Sequence, residues 1–133
     1  MKKLLGLDFG QKRIGVAISE GSLITSYGVV NNDSLEEAIH EIGKICHGEN
    51  VSKIVVGLPK SKSNIQADKV RKFAIELAKK LDLEIDFVDE TLTSKEAERQ
   101  LGNQKLDPRE KRYKEEIDKL SAKYILEQYL NEG

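Results

Sequence analysis

Cysteine occurs once in the 133 residues, at Cys46, so no intramolecular disulfide can form and no CxxC-type metal or redox site is available. Proline occurs twice and tryptophan not at all, and no low-complexity or proline-rich tract is present to keep the chain extended or disordered. No apolar run approaches a membrane span. The first of them, in MKKLLGLDFG, is broken by Asp8 long before the apolar region of a signal peptide would be complete. Neither sign of charge dominates, with 22 Lys and Arg against 23 Asp and Glu, so an argument for a polyanionic partner has to rest on local clusters. These absences leave a cytoplasmic protein with no membrane partner. Its 38% hydrophobic and 34% charged residues suit one folded domain over residues 1–133.

The period of the apolar residues supplies the elements. Lys3 to Phe9 reads as a buried strand, Arg13 to Ser19 alternates with Ile14, Val16 and Ile18 on one face, and Leu23 to Val30 is a third strand. A capping box at Ser34 opens a helix whose stripe is Leu35, Ala38, Ile39, Ile42 and Ile45, ending near Gly48. Lys53 to Gly57 is a fourth strand stopped by Pro59. A second helix follows, carrying Val70, Phe73, Ala74, Leu77 and Leu81 at helical spacing, and then a fifth strand from Glu84 to Val88. A short helix is expected from Thr93 to about Leu101, and a last one from about Glu115 with Ile117, Leu120, Tyr124 and Ile125 inward. Three leading strands followed by alternating strands and helices predict an α/β fold, a five-stranded mixed sheet with helices on both faces.

Asp8 is the residue this pattern does not explain. It sits near the end of an otherwise apolar strand, where an unmatched carboxylate costs several kcal/mol unless a cation or donors meet it. Capping of the turn at Gly10 is the plainer reading. Asp8-Phe9-Gly10 is not the kinase motif, because the catalytic loop and lysine strand of a kinase are missing. Basic residues cluster at Lys12 and Arg13, at Lys60 and Lys62, at Lys69, Arg71 and Lys72, and at Lys105, Arg109, Lys111, Arg112 and Lys114; each cluster taken alone is adequately read as solvated surface. Cys46 reads as a small core residue, and His40 and His47 as surface residues of the first helix.

Four motifs in order are more specific. The segment from Gly6 to Ala17, then Gly57-Leu58-Pro59, then Asp89-Glu90-Thr91-Leu92-Thr93-Ser94, then Asp118 four residues before Ala122, resemble the YqgF family over essentially the whole chain. That family is described both as Holliday-junction resolvases and as pre-16S rRNA nucleases. The resemblance implies a ribonuclease H-like fold and a metal-dependent nuclease, a hydrolase of ribosome biogenesis or of branched DNA. It also implies three acids, after the first strand, near the end of the fifth and on the last helix: here Asp8, Glu90 and Asp118. Physical reading agrees in part. Asp8 and Glu90 follow strand C-termini, the edge where open α/β sheets place ligands, and Asp118 lies at the border of the last helix's apolar stripe. Three gathered carboxylates repel one another, and one or two Mg2+ or Mn2+ ions are the usual remedy for an all-oxygen site. Asp89 is an alternative to Glu90 as the second ligand, and a solvated helix face is the alternative for Asp118.

Two departures from the family pattern stand out. Thr91 occupies the position where the family usually has arginine, and the loop Lys60-Ser61-Lys62-Ser63-Asn64 is short and lacks its usual glycine. Lys12, Arg13, Lys60, Lys62, Lys105, Arg109, Lys111 and Arg112 are the candidate contacts to structured RNA or branched DNA, the last four as a mobile arm before the final helix. Either a monomer or a homodimer is compatible, a resolvase role requiring the dimer. Asp8-Phe9-Gly10 with Gly15 also resembles the first phosphate loop of actin-like ATPases, but a second glycine-rich loop is not visible. A non-catalytic nucleic-acid-binding module is the remaining alternative, and the presence of all three acids argues against it.

Overall fold

The computed structural model describes residues 2–59, 64–89, 97, 99 and 109–132. Three antiparallel strands lead, β1 (Lys3–Phe9), β2 (Arg13–Glu20) and β3 (Leu23–Asn31); α1 (Leu35–Glu49), β4 (Val51–Leu58), α2 (Asn64–Leu81) and β5 (Glu84–Asp89) follow, and α3 (Lys111–Glu132) closes the chain. The sheet order is β3-β2-β1-β4-β5, with β4 parallel to β1 and β5 parallel to β4. β1 therefore runs through the middle, buried on both faces, which is why its sequence is apolar almost throughout.

Alternation sends the two faces to two cores. Leu5, Leu7, Ile14, Val16, Ile54 and Val56 pack under α1 and α2 with Ile42, Phe73 and Leu77. On the other face Ala17, Val55 and Val88 meet Ala122, Ile125 and Leu126 of α3. Helices thus cover both faces, as the sequence predicts. Among the described residues, no helix is long and apolar enough to cross a membrane.

Element boundaries differ from expectation where capping decides them. Ser34 does cap α1, its Oγ accepting the Glu37 N–H at 3.3 Å. The helix then runs past Gly48 to end at Asn50, whose φ of 56° places it in the left-handed region that asparagine tolerates better than most residues. Leu35, expected in the buried stripe, is exposed, and Cys46 takes a place in it. The short helix expected over 93–101 lies outside the described residues apart from Ala97, which is buried, and Arg99, which is exposed; both are helical.

α3 brings the largest correction. It begins at Lys111 rather than Glu115, so Lys111 and Arg112 belong to its first turn and not to a free arm. Lys114 N–H bonds back to the Glu110 carbonyl at 3.3 Å, and lysine, arginine and glutamate are good enough helix formers to extend the helix this far. Its sheet-facing stripe is also different. Ser121, Ala122, Ile125 and Leu126 are buried, whereas Ile117, Leu120 and Tyr124 are only partly so. The reason lies in the sheet, which meets α3 with glycines. A methyl group on Gly6 would lie 2.5 Å from Leu126 Cγ, and one on Gly15 only 1.9 Å from the Asp118 carbonyl oxygen. Backbone fills the contact at Gly15, and at Gly6 the Leu126 side chain and the Ala122 carbonyl take the space that a larger residue on the strand would need.

Candidate active site

The close contact at Gly15 defines the site. Asp8 pairs directly with Gly15 across β1 and β2, so both project to the same face, and Gly15 lies against the backbone of Asp118. Gly6, two residues before Asp8, also faces α3. Asp8 and Asp118 are thereby neighbours on one face of the sheet. Asp118 is centred in the sheet-facing stripe of α3, in line with Ala122 and Ile125, and not at its border as the sequence suggests. The next residue after Asp8 anchors the opposite side, the Phe9 ring packing against Phe73 of α2 with centroids 4.5 Å apart. Asp8 is thus fixed by a strand that is gripped from both sides.

Asp118 is half-buried and paired. Arg13 Nε donates to its Oδ2 at 2.8 Å. Burial pushes the carboxyl above its ordinary value, the Arg13 bond pulls it partly back, and repulsion from Glu115 adds to the upward push. The sequence does not identify this pair, since Arg13 and Asp118 are 105 residues apart.

The turn that carries Lys12 and Arg13 is held from below by Asn32. Its side-chain amide donates to the Gly10 carbonyl at 2.8 Å and its backbone N–H to the Lys12 carbonyl at 2.9 Å. Arg13 faces Asn31 in the β2–β3 register, which brings the end of β3 beside the turn. Lys12, Arg13, Asn31, Asp33, Lys111 and Lys114 line a cleft of about 390 Å3. Its lining carries four cations and one carboxylate, with Arg13 paired to Asp118 and Lys111 3.9 Å from Glu115, so it is basic despite the near-neutral balance of the chain. Asn31 and Asn32 are functional candidates that sequence reasoning misses, and Lys114, although part of the last basic cluster, is not among the expected contacts. The periodicity of a helix starting at Lys111, where 111 and 114 share a face, is the signal that would have added it.

Of the remaining expected contacts, Arg109 precedes α3 and is exposed, and Arg112 is exposed in the first helical turn but does not line the cleft. Glu90, Lys60, Lys62 and Lys105 lie outside the described residues. Asp89 pairs with Leu58 on the α1 and α2 side, while Val88 belongs to the α3 side, so Asp89 is turned away from Asp8 and Asp118. Cys46 is buried, with its thiol pushed up to about 11, and both histidines are exposed on α1. None of these three belongs to the site.

Among the described residues no group of three or more His, Cys, Asp or Glu gathers as a metal cluster. Asp8 and Asp118, brought to one face through Gly15, offer oxygen donors only, the donor chemistry that suits a hard divalent cation.

The family model RuvX, described as Holliday junction resolvase, matches residues 2–132. A relative from Natranaerobius thermophilus is 38% identical over 134 residues, covering 97% of this chain and 94% of that protein. One from Ligilactobacillus salivarius is 39% identical over 138 residues, covering 98% and 93%. Both carry the name "Putative pre-16S rRNA nuclease". Among solved structures, Fowlpox virus resolvase with Holliday junction DNA aligns with a TM-score of 0.61 at 13% identity, over 98% of this chain and 97% of that one. RuvC of T. thermophilus with its junction substrate aligns at 0.56 and 16%, over 100% and 97%. At such identities the likeness bears on the fold, and the ribonuclease H-like mixed sheet expected from the sequence is the one observed.

Proposed function

Because this chain belongs to the RuvX family of Holliday junction resolvases, we propose that it is a hydrolase cutting phosphodiester bonds in structured nucleic acid, with Asp8, Glu90 and Asp118 holding magnesium or manganese. The approach of α3 to Gly15 carries this reading, because it sets Asp118 beside Asp8, and Arg13 joins Asp118 to a cleft lined by four cationic side chains. Asp8 is the central ligand, projecting from the most rigid strand of the sheet. The orientation of Asp89 argues against it as the second acid and leaves Glu90, which the family pattern implies. One or two ions bound there would polarise an attacking water and stabilise the leaving oxygen. Lys12, Arg13, Lys111 and Lys114 would hold the phosphates flanking the scissile one, with Lys60, Lys62, Lys105, Arg109 and Arg112 as outer contacts.

Precursor 16S rRNA is the preferred substrate. The relatives that carry that name are 37–39% identical over almost the whole chain, whereas the solved junction-resolving enzymes are 13–16% identical and inform the fold only; the family description keeps the four-way junction as the competing substrate. A cytoplasmic setting belongs to the same reading.

The test is cleavage of a 5'-extended 16S precursor and of a four-way DNA junction by one preparation supplied with magnesium or manganese. Wild type should cut the RNA, and Asp8→Asn and Asp118→Asn should each lower the rate by at least about 100-fold while melting cooperatively. Junction cleavage without RNA cleavage would reassign the substrate. Full activity of Asp8→Asn would overturn the site.

A further inference from the structure

Arg13 belongs to two places at once. Its Nε bonds Asp118 at 2.8 Å, and its side chain also lines the cleft with Lys12, Lys111 and Lys114. The backbone beneath it is clamped by Asn32, so a change of partner needs only a swing of the side chain. Neither end of the ion pair is sealed, the side chains being 22% and 21% exposed. Nε is one of five guanidinium donors, and the planar fork is better matched to a phosphate than to a single carboxylate oxygen.

A divalent cation on Asp118 and a guanidinium on the same carboxylate repel each other. Resting on the reading of Asp118 as a cation ligand, we propose that Arg13 exchanges partners: it holds Asp118 until a divalent cation engages that carboxylate, then turns into the cleft and takes a nucleic-acid phosphate. The exchange makes the two halves of the site interdependent. Cation binding releases a phosphate ligand, and phosphate binding removes a competitor of the cation, by the same factor in both directions; couplings of this kind run to roughly 5- to 150-fold. The device favours the doubly occupied site, with strand and cation together, over either one alone.

The experiment is a double-mutant cycle in chelator, with no cleavage involved. Affinity of a fluorescein-labelled RNA hairpin is measured against salt for wild type, Arg13→Gln, Asp118→Asn and the double variant. Asp118→Asn frees Arg13, so its log-affinity against log-salt slope should steepen by about one phosphate contact, roughly 0.7 to 0.9. The double variant should return to the wild-type slope, and Arg13→Gln alone should change it little. If Asp118→Asn strengthens binding equally with and without Arg13, simple charge removal explains it and the exchange is refuted. Arg13→Met replaces the Gln variant if the latter fails to fold, since it keeps most of the side-chain length and removes the charge that the slope counts.

A calorimetric titration with manganese alone completes the test. Arg13→Gln should bind the ion at least about 5-fold more tightly than wild type, and Lys12→Gln, which removes a nearby charge but not a competitor, should not. Equal gains from both variants would again refute the exchange. Manganese binding that Asp8→Asn abolishes, combined with an additive cycle, would sink the exchange and leave the cation site standing. No Asp8-dependent manganese binding at all would sink both.

Discussion

A single methyl group added at Gly15 would separate β2 from α3. The added carbon would stand 1.9 Å from the Asp118 carbonyl oxygen, and that obstacle is helix backbone, which cannot rotate aside as a side chain can. Gly15→Ala should therefore destabilise by about 3 kcal/mol, at the upper end of overpacking costs, and should also displace Asp118 from Asp8. Gly28→Ala is the matched control. Nothing lies within 4 Å of the carbon it would add, and the change should stay within about 0.5 kcal/mol. Denaturant midpoints at unchanged slope would measure both. Equal midpoints for the two variants would contradict the close seat of α3. Sequence alone offers Gly15 only as part of a motif. Its steric meaning depends on which helix arrives there, 103 residues later in the chain, and a glycine carries no side chain to announce a packed position.

α3 is tied to the sheet at its far end by a polar knot. Tyr129 donates to Asp86 Oδ2 at 2.5 Å, Lys53 Nζ reaches the same oxygen at 3.2 Å, and Glu84 lies within 3.6 Å of that ammonium. The Tyr129 bond first, and the Lys53 bond second, hold the Asp86 carboxyl below its ordinary value. A carboxyl depressed in the folded state contributes stability that is fully present above the unfolded value and is lost as pH falls through the folded one. Wild type should thus melt higher than Asp86→Asn by a constant margin above about pH 5, and the margin should close below about pH 4. Because Asp86 is more than a third exposed, the margin should be under about 1 kcal/mol. A margin that stays the same to the lowest pH would show that the charge of Asp86 contributes nothing. Strand and helix periods reveal β5 and most of α3 in the sequence. They do not reveal this knot, which joins residues 33 to 76 positions apart, nor the helix's true inner face.

The whole molecule carries almost no net charge, yet four cations converge on one cleft drawn from the β1–β2 turn, the end of β3 and the start of α3. Binding to a polyanion should accordingly be local. Lys111→Gln with Lys114→Gln should flatten the salt dependence of RNA binding by up to about 1.4 to 1.8 in log–log slope, if each lysine neutralises one phosphate. Lys79→Gln with Lys80→Gln, in the last turn of α2, should leave it unchanged. Equal effects would mean that the cleft is not the binding face. The sequence contains three of the four cations among its expected contacts but assigns Lys111 to an arm, because the start of α3 is polar on every side. Order, type and most limits of the other elements are legible, since each is set by local periodicity and capping; a cleft assembled from three distant segments is not.

The two cores are unequal. Among the described residues, seventeen buried ones form the core beneath α1 and α2, against six beneath α3. Native proteins open in parts. α3 is the described helix that covers Gly6 and Gly15, so its lifting as a unit is the local opening that would reach the acidic pair while β1, β4 and the helices behind them stay closed. Lifting it exposes Gly6 and Gly15 and carries Asp118 away from Asp8. The acidic pair thus exists only in the fully closed molecule, and a ligand that bridges Asp8 and Asp118 would act as a bolt on that helix, slowing the exchange of its backbone hydrogens with solvent far more than those of the central strand.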